Sequence, residues 1–242
     1  RRSLQSGATM KSPTIFCVIL AVMTTFVVPA HLSALGSREG IVGDVAVSDV
    51  RQVEIRAHGF DVVVLATGED TTRVKLRGAS DEYKLHHVLR DGVLEAWTVG
   101  PRINFTVAPE GTVHVEVPAE SSVAVRTAAG AVTVSRVHGT IAVHTSTGDV
   151  TLADLVASFE IETASGSIHG SGVRVTGDST IESSSGDVEM DLANELEELS
   201  FRLESSSGRL LAGRTHGRRE LNLVGPGPTI MGDTTTGSQH YY

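Results

Sequence analysis

A parallel β-solenoid is the fold class this sequence predicts, and three observations carry that expectation. First, a Ser/Thr-Gly unit recurs as "TSTGDV", "TASGSI", "SSSGDV" and "SSSGRL". Their glycines, Gly148, Gly166, Gly186 and Gly208, together with Gly130 of "TAAG", are spaced 18, 18, 20 and 22 residues apart. Second, each copy alternates apolar and polar residues with period two, the mark of a half-buried strand. Third, a hydroxyl or its equivalent returns at one inward level: Thr127, Thr145, Thr163, Ser183 and Ser205. A repeat near 20 residues signals stacked coils. Stacking places like residues about 4.8 Å apart, so that the hydroxyls can form a ladder. The alternative is an antiparallel β meander or sandwich with each glycine at a hairpin tip. It gives no reason for identical residues at identical depth.

The elements follow in order along the repeat. Before the glycines, apolar residues fall at Val123 and Val125, Ile141 and Val143, Phe159 and Ile161, Ile181, then Phe201 and Leu203. After them the parity switches, giving Val132 and Val134, Val150 and Leu152, Ile168, Val188 and Met190, and Leu210. A bend at each glycine restores the apolar side chains to the interior, and glycine suits a bend because it accepts positive φ. A third apolar column runs through Val137, Leu155 and Val173.

The repeat coils are expected over residues 122–236, with Gly237 in "TTTGS" as an irregular sixth copy and residues 237–242 as a loose tail. Residues 50–121 alternate without a period and predict irregular β coils that cap the stack. One helical piece is expected in "DLANELEELS", where Leu192, Leu196 and Leu199 follow helical spacing. As an inserted side loop it accounts for the longer spacing to Gly208.

Residues 1–9 read as an upstream or non-native extension before Met10 and Lys11. Residues 10–36 have the order of a signal peptide: a positive charge, the apolar run "TIFCVILAVMTTFVV", then small residues around Ala34 and Gly36. That run is short for a bilayer span of about 20 residues. Residues 37–49 read as a linker. Cys17, the one cysteine, lies inside the apolar run, so the remaining chain has no thiol for a disulfide, metal knuckle or nucleophile.

Composition narrows the function. The formal net charge is −9 and only Lys11, Lys75 and Lys84 are lysines, which argues against nucleic acid. Membrane contact is expected only through the N-terminal segment. The aromatic content of 4% is low for an aromatic-lined ligand pocket, and no cofactor is expected.

The stretches "VEIRAHGFDVVVL", "DGVLEAWTV" and "VHVEVPAESSVAVRTAAGAVTV", with the Ser-Gly-Asp-Val copies, resemble the bacterial putative-adhesin β-strand-repeat family. The resemblance covers residues 48–236. It implies a right-handed β-helix in an envelope-associated protein and implies no catalytic residue. The chain departs from that pattern at Arg209, where an aspartate often follows the glycine.

Stacking would place Arg126, His144, Glu162, Glu182 and Glu204 in one outward column, with Glu160, Asp149 and Asp187 on columns nearby. Carboxylates about 5 Å apart repel by about 0.8 kcal/mol even in water. Such a face either stays solvated or takes a cation, polyamine or basic peptide. A glutamate pair at that separation also matches a retaining glycosidase, but a flat ladder offers no contrast of environments to make one an acid and the other a base. The adjacent His86 and His87 point to opposite strand faces, poor metal geometry. The run "GRTHGRR" reads as a solvated turn.

The chain is thus expected to be an exported, non-enzymatic, envelope-associated scaffold or adhesin-like binding module, in the periplasm or at the cell surface. Its partner would be an envelope protein, a glycan or a cationic ligand. A β-helical polysaccharide-active enzyme and a structural partner-docking subunit are the alternatives. If the N-terminal reading is right, mass spectrometry of the exported protein will find a new N-terminus between His31 and Ser37; an intact N-terminus in the membrane fraction overturns it.

Overall fold

Backbone hydrogen bonds in this chain run mainly from coil to coil, and the strand register shows how. The computed structural model describes residues 38–41, 44–101 and 110–242. The expected extension and signal segment therefore lie outside the described residues. Among the described residues, no helix is long and apolar enough to cross a membrane.

Two sheets share the strands. β1 (Arg38–Ile41) and β2 (Asp44–Ser48) come first, then β3 (Gln52–Arg56), β4 (Asp61–Thr67), β5 (Thr71–Arg77), β6 (Lys84–Arg90), β7 (Val93–Val99) and β8 (Thr112–Pro118). The repeat supplies β9 (Ser122–Thr127) and β10 (Val132–Ser135), β11 (His138–Thr147) and β12 (Val150–Ala153), and β13 (Val156–Ser165) and β14 (Ile168–Val175). It continues with β15 (Ser179–Ser185) and β16 (Val188–Leu192), then β17 (Ser200–Ser207) and β18 (Leu210–Ala212). β19 (Thr215–Gly217), β20 (Glu220–Leu223), β21 (Thr229–Thr236) and β22 (Gln239–Tyr241) complete the chain.

In sheet A the spatial order is β1, β6, β7, β3, β9, β11, β13, β15, β21, β17, β20. In sheet B it is β2, β5, β8, β4, β10, β12, β14, β16, β22, β18, β19. From β7 to β17 and from β8 to β18 every pairing is parallel, which is the expected solenoid. Antiparallel pairing is confined to the outer strands at the two ends.

The order in space departs from the order in sequence at both ends. The coil β3/β4 lies between β7/β8 and β9/β10. Likewise β21/β22, the last coil in sequence, is inserted between β15/β16 and β17/β18. This accounts for the 22-residue step from Gly186 to Gly208, because the chain must pass over a layer that is filled later. The expected side-loop helix is absent: Leu192 ends β16, and only a 3-10 turn over Leu196–Glu198 follows.

Residues 237–242 are not loose either. β22 is paired on both sides and Tyr241 is fully buried. The linker expected over residues 37–49 contains β1 and β2, each paired with a neighbour. The inner coil β3/β4 is as regular as the repeat, although it lies inside residues 50–121.

Inside the stack the two sheets meet through Val125, Val143, Ile161 and Ile181 on one side and Val132, Val150, Ile168 and Val188 on the other, all buried. Each such side chain stabilises the fold by about 1.5–3 kcal/mol relative to exposure. The hydroxyl column is buried as expected, but it does not form a ladder. Thr127 Oγ1 donates to the Phe60 carbonyl (3.2 Å) and Ser205 Oγ to the Gly237 carbonyl (3.1 Å), whereas Thr145, Thr163 and Ser183 have no hydrogen-bond partner.

The glycines are required for a reason different from the expected one. Of the six, only Gly186 (φ 152°) and Gly237 (φ 158°) have positive φ in the range side chains avoid, and both are near full extension. What all six share is the backbone below them. A Cβ on Gly130 would overlap the Phe60 carbonyl; on Gly148 the Gly130 carbonyl; on Gly166 that of Gly148; on Gly186 that of Gly166. A Cβ on Gly237 would overlap the Gly186 carbonyl, and on Gly208 that of Gly237. The left-handed residue belongs to the other bend, from sheet B back to sheet A, where Arg136 (φ 59°), Asp154 (φ 53°) and Gly172 (φ 62°) occupy equivalent places. Side chains fit there at a cost of about 1–2 kcal/mol for an L-residue.

Two substitutions separate these requirements. Gly148→Ala will destabilise by about 3 kcal/mol or more, since the obstacle is the Cβ itself and neither carbonyl nor coil can yield. Asp154→Gly will stay within about 1 kcal/mol of the parent, with strain relief offsetting lost chain stiffness. Denaturant melts of both variants check this; a tolerated alanine at 148 would show that the coils can separate.

Candidate functional site

The outward side chains of sheet A repeat at every coil, so a single sequence position four residues before each glycine becomes a column. From one end it reads His86, Trp97, Arg56, Arg126, His144, Glu162, Glu182, Asp233, Glu204, Glu220. The expected column is therefore present from Arg126 to Glu182, but Glu204 does not stack on Glu182. Asp233, from the inserted last coil, lies between them, and Glu220 of β20 extends the row. Five consecutive strands present a carboxylate, all exposed.

The column is polar along its length. At one end the His86 and Trp97 rings stack with centroids 5.8 Å apart. The Arg56 guanidinium lies 3.7 Å from Glu54 and 3.5 Å from Glu95, which spend most of its charge locally. His144 Nδ1 meets Glu162 Oε2 at 2.9 Å and closes the basic part. Beyond Glu162, the carboxylates of Glu182, Asp233 and Glu204 have only one another, and Glu220 accepts from the Asn222 side-chain amide. Desolvation first, then the charges of Glu162, Asp233 and Glu160, raise the Glu182 pKa above the ordinary glutamate value, and His144 partly offsets this. Glu160 is on the adjacent outward column, between Ala142 and Thr180.

Asp149 and Asp187 are elsewhere and have another role. They follow the glycine at the start of sheet B strands, where Asp149 Oδ1 accepts from the Ser167 N–H (2.8 Å) and Asp187 Oδ1 from the Ser238 N–H (2.7 Å). Asp61 does the same for Ala131 (2.9 Å). Each aspartate thus ties its own coil to the next, and they recur in alternate layers. Arg209 takes this place in the outermost parallel coil, where no further coil follows to be tied. The departure noted in the sequence has a geometric cause.

The other candidates are not brought together. His86 faces outward onto Trp97, while His87 is paired with the buried Ala96, and burial lowers its pKa, with His86 adding to the effect. Arg214, Arg218 and Arg219 are exposed around β19. Among the described residues, no three His, Cys, Asp or Glu side chains converge as metal ligands. Two open grooves lie at the ends of the stack, one against Asp49 and Asp91 and one against Leu196 and Leu223, and neither is lined by the carboxylate column. An acid–base pair in a cleft is not what this face presents.

Stacked parallel coils, glycine bends and a patterned outer face define a β-solenoid with a repeated surface. The Toastrack DUF4097 family matches residues 41–222, and the chain belongs to it. The family resemblance read from the sequence is thereby borne out. Among solved structures, the chain is similar to a "putative cell adhesion protein" from Clostridium sporogenes, at 10% identity and TM-score 0.42, covering 85% of this chain and 99% of that one. It is also similar to a "putative adhesin" from Bacteroides fragilis, at 9% identity and TM-score 0.39, covering 86% and 98%. No curated protein matches the sequence.

The raised pKa of Glu182 has a definite sign. Its charged form is disfavoured in the folded state, so no penalty exists below the ordinary glutamate value, and stability is lost as pH rises through the raised folded value. Glu182→Gln will therefore raise the melting temperature at neutral pH and leave it unchanged in acid. Thermal melts across pH check this; a Gln variant less stable than the parent at neutral pH would mean that the carboxylate is a structural partner.

Proposed function

We propose that this chain is an exported, non-enzymatic, envelope-associated binding module whose sheet A face takes an extended cationic segment of a partner protein. The observation that carries the reading is the uninterrupted carboxylate row from Glu162 through Glu182, Asp233 and Glu204 to Glu220. Neighbouring strands are about 4.8 Å apart, so the row is a line of charge about 19 Å long on a rigid backbone. Its groups repel one another, and a line of lysine or arginine side chains relieves that repulsion across the whole row at once. A point ion satisfies two neighbours at most. The open, unenclosed surface suits a segment that lies along it.

Binding to a short oligolysine peptide at low salt tests the reading. Titration calorimetry should show binding that weakens steeply with salt, because the Debye length falls from about 10 Å at 0.1 M to about 3 Å at 1 M. The triple change Glu162→Gln, Glu182→Gln and Asp233→Asn should weaken it at least about tenfold, each exposed pair contributing up to about 1 kcal/mol. Absence of binding at low salt, or binding unchanged in the triple variant, overturns the proposal.

A further inference from the structure

The parallel stack ends beyond β17 and β18 in two short antiparallel strands, β20 on sheet A and β19 on sheet B. Among the described residues, each is paired on one side only. Between them the interior opens as a groove of about 670 Å³. Its apolar wall is made by Leu196, Leu199, Ala212 and Leu223. Val224 stands at the rim with 97% of its surface exposed, by far the most exposed large apolar residue described. A solenoid end with free strand edges and an uncovered valine is a template for association.

The charges around this groove are divided. Glu197 lines one part and Arg214 another. Glu195 and Glu198 flank the first, and Arg218 and Arg219 follow in the link between β19 and β20. None of these six side chains has an ion-pair partner among the described residues. An acidic half beside a basic half is self-complementary under a two-fold rotation, which is what an isologous dimer requires of a single surface.

We infer that two copies of this chain dock through these ends, with β19, β20 and Val224 at the centre and the acidic lip of each copy against the basic lip of the other. The interface takes in β20, whose Glu220 ends the carboxylate row, and leaves Glu162, Glu182, Asp233 and Glu204 free on the outer face.

Sedimentation velocity on the full chain tests this, with circular dichroism confirming that each variant keeps its strands. The parent should sediment as a dimer at low salt. Val224→Glu should weaken the dimer at least about tenfold, by placing an unpaired charge at the centre of the contact. The pair Arg214→Glu with Arg218→Glu should be monomeric, and so should the pair Glu197→Arg with Glu198→Arg. An equal mixture of those two charge-reversed chains should dimerise again, since each then offers what the other needs. A monomeric parent overturns the inference. So does a dimer indifferent to Val224→Glu, an assembly that grows beyond two copies, or a mixture that stays monomeric.

Discussion

The close approach of successive backbones at the glycine bend is the constraint on which the rest of the structure depends. Gly130, Gly148, Gly166, Gly186, Gly237 and Gly208 form one continuous line in which each alpha carbon lies over the carbonyl of the layer beneath. That contact fixes the layers at strand spacing on both sheets, because the bend joins sheet A to sheet B in every coil. Once the layers are fixed, every side chain has a counterpart directly above and below. The valine and isoleucine columns then fill the interior, the aspartates that follow Gly148 and Gly186 reach the next layer's N–H groups, and the outer face becomes a set of parallel rows.

Much of this was legible because the coil is short and its landmarks are absolute. A glycine with no room for a Cβ and a hydroxyl three residues ahead of it mark each layer, and the residue four ahead of it marks the outer row. Asp233 obeys that rule with respect to Gly237, so its place in the row could have been read from the sequence. Glu220 could not, since β20 is antiparallel and has no glycine landmark. The reason for the glycines was also hidden. Positive φ and steric exclusion by a neighbouring layer leave the same residue in the sequence, and only the structure shows that the left-handed bend is the one made by Arg136 and Asp154.

The layer order was the least legible feature. Sequence neighbours are stack neighbours from β9 to β16, so the periodicity there is faithful to space. At the ends it is not, because β3/β4 and β21/β22 are placed inside layers that lie farther along or farther back in the chain. A spacing of 22 residues was the only trace of this, and the leucines of "DLANELEELS" suggested a helix in the same place. Tertiary placement overrode their spacing: Leu192 and Leu199 are buried as strand and strand-edge residues. The same register that makes the core efficient makes the outer row repulsive. A charge at one outward position is repeated at strand spacing wherever the coil repeats, and Glu182, second in the row, has like charges on both sides.

The inserted last coil ties the order of synthesis to the order of assembly. A chain made from its N-terminus forms the layers β9 to β16 as they emerge, each on a finished predecessor. The layer β17/β18 emerges next and has nothing to rest on, because the strands it must touch, Thr229–Thr236 and Gln239–Tyr241, are made after it. The growing stack is thus held open at one end until those two strands arrive. Closure is then a single event, in which the last coil is clasped on both faces and its buried tyrosine, Tyr241, becomes the keystone of the finished end.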